Sequence, residues 1–198
     1  MSSKPSRNNV AGIIIAAGES KRLGRIKQLL PWSGKTLIEF VIQTTLKCKL
    51  EPINVILGSN CDQIAPFLVD SKVNIIYNQL WKEGKGTSIS LGINSLPENI
   101  DAAIIFVVDQ PFLNMQLINT LIKVFELKKA DIVAPYFQGI QTNPVLFNRL
   151  VFPELIKLTG EEGGRTLFNK FHLEKLVWDD EKILLDIDTF KDYEKIIN

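Results

Sequence analysis

The chain has a single histidine in 198 residues, His172. That excludes zinc sites built on several histidines, and it leaves little room for Ser-His-Asp chemistry. His172 reads as a surface or packing residue. Cysteine is almost as scarce. Cys48 and Cys61 are the only two, too few for a disulfide framework, so reduced thiols in the cytoplasm are the simplest reading. Neither sign of charge prevails. Twenty-three Lys and Arg against 22 Asp and Glu leave a formal +1, so no bulk field draws the chain to nucleic acid or to a membrane surface. No apolar stretch approaches the roughly twenty residues of a spanning helix. Residues 1–9 are polar and expected to fray, with no apolar core of the signal-peptide kind. Hydrophobic residues, by contrast, make up 45% of the chain, enough for a full core. The length suits one domain over residues 1–198.

The apolar residues are grouped with the rhythm of an α/β protein. Ala11-Gly12-Ile13-Ile14-Ile15 is short, β-branched and without a polar face, as a buried strand should be. Strands are expected again at 53–57, 73–77, 102–108 and 131–135. Helical stretches fall between them at 36–46, 63–68, 87–96 and 115–127, with Thr87 and Ser88 as caps of the third. Such alternation predicts a mostly parallel sheet covered on both faces, with ligands at the carboxyl edge of the strands. After about residue 138 the rhythm breaks into loops, a short strand at 145–147, and a helix through Phe168. These late segments are expected to build the substrate side.

Three constellations carry chemistry. Ala16-Ala17-Gly18-Glu19-Ser20-Lys21-Arg22-Leu23-Gly24, with Lys27, follows the first strand directly. Bare backbone N–H groups backed by cations make a site for polyphosphate. The loop is not of the Walker type: Gly34-Lys35-Thr36 has the right tail, but Leu29 stands where the upstream glycine is required. Asp109 closes the fourth strand in Asp109-Gln110-Pro111. It reads either as a Mg²⁺ ligand or as a turn former before Pro111. Asp186-Ile187-Asp188-Thr189 precedes the last helix, and its alternative reading is capping by Asp188 or Thr189. The segment from Asn78 to Ser88, with Gly84 and Gly86, forms a second backbone-rich nest able to hold a base, a ribose or a phosphate. Together these parts point to phosphoryl or nucleotidyl transfer, which relies on positioning and charge neutralisation more than on a dedicated nucleophile.

These residues also resemble a known family. Ala16-Ala17-Gly18-x-Ser20-x-Arg22-x-Gly24-x-x-Lys27 is similar to the signature of the MobA-like nucleotidyltransferases with a Rossmann-like fold. Several later motifs resemble molybdenum cofactor cytidylyltransferase and its relatives: Leu29-Leu30-Pro31-Trp32-x-Gly34-Lys35-Thr36, Asn78-x-x-Trp81-x-x-Gly84-x-Gly86-x-Ser88, Asp109-Gln110-Pro111-Phe112, Asn143-Pro144-Val145, Gly160-x-x-Gly163-Gly164-Arg165 and Asp186-x-Asp188-Thr189. The resemblance spans residues 10–194. It implies a three-layer α/β/α sandwich of the nucleotide-diphospho-sugar transferase type. It implies transfer of CMP from CTP to the terminal phosphate of the molybdenum cofactor, giving molybdopterin cytosine dinucleotide and pyrophosphate. Ala16, Ala17, Gly18, Ser20, Arg22, Gly24, Lys27, Asn78, Gly84, Gly86 and Ser88 would bind the nucleotide. Arg22, Lys27 and Asp109 would be catalytic, and Asp109 with Asp188 would hold Mg²⁺. Gln110, Asn143, Pro144, Gly163, Gly164 and Arg165 would meet the acceptor. A molybdenum hydroxylase of the xanthine dehydrogenase or aldehyde oxidoreductase kind would receive the product, with no nucleic-acid or membrane partner. Relatives usually carry Arg-Gly where this chain has Gln141-Thr142, which weakens the case for a tightly held pterin phosphate. GTP in place of CTP, a sugar or alcohol phosphate as acceptor, and a non-catalytic pterin carrier therefore stand as alternatives.

Overall fold

The computed structural model describes residues 8–197; the expected fraying of residues 1–7 lies outside them. Asn9, included in that expectation, is tied in: its N–H donates to Asp101 Oδ2 at 2.8 Å and its side-chain amide to Asn99 O at 3.1 Å. In chain order the strands are β1 (Val10–Ala16), β2 (Pro31–Trp32), β3 (Lys35–Thr36), β4 (Ile53–Leu57), β5 (Asn74–Tyr77), β6 (Ala102–Val107), β7 (Ile132–Phe137), β8 (Ile140–Gln141), β9 (Val145–Asn148) and β10 (Leu173–Val177). The α-helices are α1 (Leu37–Leu46), α2 (Cys61–Ile64), α3 (Lys85–Asn94), α4 (Met115–Lys128), α5 (Phe152–Leu155) and α6 (Phe190–Ile197).

The main sheet runs β10-β7-β9-β6-β1-β4-β5, with β8 attached to β7. β1 pairs in parallel with both β6 and β4, and β4 with β5. Every residue of β4, and all of β1 except the half-buried Ile15, is buried. That is what strands covered on both faces require. The side chains of β1 alternate between two clusters. Val10, Ile14 and Ala16 join one with α1 and α4, whereas Ala11 and Ile13 join the other with α3 and α5. The expected α/β/α sandwich is therefore present, and the carboxyl ends of β1, β4 and β6 share one edge. No helix among the described residues is long and apolar enough to cross a membrane.

The departures are local. β9 runs antiparallel between β6 and β7, and β8 antiparallel to β7. β10, absent from the sequence reading, pairs in parallel with β7 through Leu173-Glu174-Lys175-Leu176-Val177, whose polar alternation marks an edge strand rather than a buried one. The helix expected at 63–68 is one α-turn followed by a 3₁₀ turn, Ala65–Leu68, with Pro66 near its start. The helix expected through Phe168 is a 3₁₀ turn, Gly164–Leu167. α3 starts at Lys85, two residues before the expected caps, and Gly84 at its N-terminus supplies no side-chain cap. Thr87 Oγ1 instead donates to Gly84 O at 2.8 Å, from inside the helix. Cys48 and Cys61 are both free thiols. His172 is exposed, and its N–H donates to Asp131 Oδ2 at 3.0 Å, a structural role.

Candidate active site

The chain leaves the sheet at Ala16 and turns over its carboxyl edge. Ser20 and Gly24 both adopt the left-handed conformation, at φ 59° and 68°. A side chain at Gly24 would meet nothing within 4 Å, so the glycine serves the turn itself. The N–H groups of Gly18, Glu19 and Ser20 find no acceptor among the described residues. Three successive free donors form an anion-binding nest. They line a cavity of about 850 Å³ together with Lys21, Arg22 and Lys27.

Asp109 follows β6 on the same edge and faces Asp188 across Lys27. Lys27 Nζ lies 3.3 Å from Asp109 Oδ2 and 3.4 Å from Asp188 Oδ1. Arg22 Nη1 reaches Asp188 Oδ2 at 3.2 Å. Two local features deliver these carboxylates. Ile187 is fully buried, and its N–H donates to Asp109 O at 2.9 Å, joining the two acidic segments. Thr189, not Asp188, caps α6: its hydroxyl accepts from Asp192 N at 3.3 Å while Asp192 Oδ2 accepts from Thr189 N at 2.8 Å. Asp188 is thereby free for the cavity. Two hard oxygen donors that converge on one cation, without a nearby thiolate or imidazole, suit Mg²⁺ or Mn²⁺ better than a softer metal. No three His, Cys, Asp or Glu side chains gather into a metal cluster among the described residues. A divalent ion held here would complete its shell from a substrate phosphate.

Asp186 stands next to this pair. The residue is exposed, but its carboxylate is crowded, and Gln110 Nε2 donates to it at 3.1 Å. Desolvation first, then the neighbouring Asp109, push its pKa up from 3.8 to about 6; the Gln110 hydrogen bond only partly opposes this. The folded state thus holds the Asp186 proton more tightly than the unfolded chain. Its contribution to stability is complete below pH 3.8 and is lost as pH rises through about 6. In metal-free buffer, Asp186→Asn is expected to melt higher than the wild type at pH 7–8. The gap should close at pH 3, which melting curves across that range would register.

The second nest is built differently from the expectation. Gly84 and Ser88 line the cavity, as do Trp81, Lys82 and Lys85. Asn78 and Gly86 do not. Asn78 is buried and braces the loop: its Nδ2 donates to Thr87 Oγ1 and Ser88 Oγ, each at 2.9 Å, and its Oδ1 accepts from Leu80 N at 2.9 Å. The two glycines allow close passage of another loop. A Cβ at Gly84 would stand 2.2 Å from Gly160 O, and one at Gly86 would stand 2.7 Å from Thr159 O. Gly86→Ala is therefore expected to destabilise by about 1–3 kcal/mol as an overpacked contact, to be read from denaturant midpoints.

The residues expected to meet the acceptor are scattered. Gln110, Asn143 and Pro144 border a shallow dimple of about 10 Å³ with Phe112 and Lys182. Gln110 is buried and gives its amide to Thr142 Oγ1 at 2.7 Å; Thr142 in turn donates to Ile183 O at 2.8 Å. Gln110 thus ties the end of β6 to the segment that carries Asp186. Gly164 packs under Phe147, where a Cβ would come within 2.4 Å. Gly163 borders Lys85, and Arg165 is exposed away from the cavity. Sequence reasoning missed Gln28, Lys82, Lys85 and Glu161 on the cavity wall. For Gln28 the available signal was its place beside Lys27.

With Lys27 half-buried between Asp109 and Asp188 beside the free N–H groups, the carboxyl edge of this Rossmann-like sheet has what nucleotidyl transfer needs. The model of the MobA-like NTP transferase domain matches residues 12–176, and the chain belongs to that family. Purine catabolism protein PucB of Bacillus subtilis is 28% identical over 93% of this chain and 94% of its own length. A probable molybdenum cofactor guanylyltransferase of Geobacillus is 25% identical over 96% of this chain and 99% of its own. The molybdenum cofactor cytidylyltransferase of Escherichia coli is 24% identical over 91% of this chain and 92% of its own. Among solved structures, Rv0371c of Mycobacterium tuberculosis superposes with TM-score 0.84 at 22% identity, covering 97% of this chain and 99% of that one. Its complex with manganese superposes with TM-score 0.79 at 21% identity, covering 96% and 98%. The family thus includes both guanylyl- and cytidylyltransferases of the molybdenum cofactor.

Proposed function

We propose that this protein transfers CMP from CTP to the terminal phosphate of a molybdopterin-type cofactor, yielding the cytosine dinucleotide and pyrophosphate. The observation that carries the reading is the meeting of Lys27, Asp109 and Asp188 at the end of a nest of free N–H groups. The nest and Arg22 would take the β- and γ-phosphates. Lys27 would neutralise charge growing on the α-phosphate as the acceptor oxygen attacks it in line. The acceptor phosphate is already ionised near neutral pH, so no strong general base is needed. Asp109 and Asp188 would hold Mg²⁺ or Mn²⁺, which would supply Lewis-acid charge to the same phosphates. The manganese complex of the Rv0371c structure supports a divalent ion in this fold. The resemblance of Ala16-Ala17-Gly18 to the cytidine-transferring form of the loop, where guanosine-transferring relatives usually show two glycines, supports CTP. The product would pass to a molybdenum hydroxylase in the cytoplasm.

Incubation with CTP, Mg²⁺ and the cofactor should yield a product heavier by one cytidylyl group, CMP less water, visible by mass spectrometry. A product formed with GTP alone would replace the cytidylyl reading by a guanylyl one. Thr142 is locked into the Gln110 contact and Gln141 stands beside it, so a second reading, with another phosphorylated acceptor, rests on that position. Gln141→Arg is expected to lower the KM for the pterin substrate if this loop faces its phosphate. An unchanged KM would take the loop out of the acceptor site.

A further inference from the structure

Gln28 lines the cavity wall with only 4% of its surface exposed. Its amide nitrogen is fully used: Nε2 donates to Ala16 O at 2.8 Å and to Gly18 O at 3.1 Å. Its Oε1 is buried and has no partner among the described residues. The two carbonyls fix this orientation, because a flipped amide would set oxygen against oxygen. A buried acceptor without a donor weakens a fold. The gain from Gln28 therefore lies at its nitrogen.

That nitrogen organises the anion nest. The peptides here are trans, the cis bonds being at Glu51-Pro52 and Asn143-Pro144. In a trans peptide the N–H points opposite to its C=O. Drawing the Ala16 and Gly18 carbonyls onto one side-chain nitrogen turns the N–H groups of Ala17 and Glu19 away from it. Between them, Ala17 O accepts from Ser59 N at 3.0 Å, which turns the Gly18 N–H away from Ser59. Of the nest donors, Gly18 N–H is thus set by the Ser59 contact and Glu19 N–H by Gln28. Gln28 also shares the short turn Lys27–Leu29 with the lysine of the site, and Lys27 N donates to Ser20 Oγ at 3.3 Å. Gln28 thus holds the central nest donor, Glu19 N–H, in register with the ammonium that meets Asp109 and Asp188.

We infer that Gln28 is a positioning residue for the nucleotide's triphosphate, acting by fixing the loop amides and Lys27 relative to each other without touching the substrate. The inference rests on the nucleotidyltransferase reading above. Gln28→Met keeps the length of the side chain and removes both donors. In the ligand-free variant, the NMR amide signals of residues 17–21 are expected to shift and broaden as the loop loses its anchor, with those of the sheet unchanged. CTP affinity should fall roughly 10- to 100-fold with the loss of two hydrogen bonds, while cytidine binds as before. Adding Lys27→Ala to Gln28→Met should cost less than Lys27→Ala costs the wild type, because the two act together. Gln28→Asn, too short to reach both carbonyls, should show the same split between CTP and cytidine, and serves if the methionine variant fails to fold. Unchanged CTP affinity and unchanged loop amide signals would overturn the positioning role. So would an equal loss of CTP and cytidine, which a general structural defect would produce. If the wild type binds neither CTP nor GTP while the loop amide signals still respond to Gln28→Met, the nucleotide reading fails and takes the assigned ligand with it.

Discussion

Asp109→Asn is expected to lower turnover by about 10³-fold or more while the protein folds normally. The side chain is close to isosteric and is 31% exposed, so packing changes little. The change removes a formal charge from a point where Lys27 Nζ and the acidic segment at 186–188 converge. If that carboxylate anchors a divalent ion, its loss forfeits several kcal/mol of charge stabilisation on the reacting phosphates, and each 1.4 kcal/mol is a factor of ten. Asp109 also helps to hold the pKa of Asp186 near 6. The same variant should therefore bring Asp186 back toward ordinary carboxylate behaviour, and melting curves in metal-free buffer should depend less on pH between 4 and 7. Full activity in Asp109→Asn would remove the metal assignment.

Lys27→Ala should weaken CTP binding by about 10- to 100-fold, the size of a charge-assisted hydrogen bond lost from a largely buried group. Its side chain is 14% exposed, so solvent screens it poorly. Binding of the pterin acceptor should change much less. Mn²⁺ binding should tighten, because the ammonium that neutralises Asp109 and Asp188 is gone. Titration calorimetry of each ligand separates the three effects. Equal weakening of CTP and acceptor would contradict a triphosphate role for Lys27, and weaker Mn²⁺ binding would contradict the shared carboxylate site.

The central sheet was legible because its strands are buried on both faces. Runs such as Ile53-Asn54-Val55-Ile56-Leu57 and Ala102-Ala103-Ile104-Ile105-Phe106-Val107 carry little polar punctuation, and burial is the reason. β10 was not legible, since an edge strand reading Leu-Glu-Lys-Leu-Val has the polarity of a loop. The start of α3 was misplaced because Thr87 looks like a cap, whereas its hydroxyl bonds back from within the first turn. At the site, local motifs located Gly18, Arg22, Lys27 and Asp109 on one cavity because each follows a strand end in sequence. Asn78 and Gly86 read as ligand contacts, yet their partners are other parts of the fold: a hydroxyl pair in one case, the carbonyl of Thr159 in the other. Thr159 comes from a distant segment, and the Thr87–Ser88 pair, though only 9 and 10 residues on, reads locally as helix caps, so neither partnership leaves a local pattern. Gln28 escaped for the same reason, since its acceptors lie 10 and 12 residues away.

The most direct test of the account is pyrophosphate release from the purified protein with Mg²⁺ and the molybdenum cofactor, with CTP and GTP supplied separately. Release is expected with CTP, dependent on the cofactor and abolished in Asp109→Asn. Folded wild-type protein that releases no pyrophosphate with either nucleotide would contradict it.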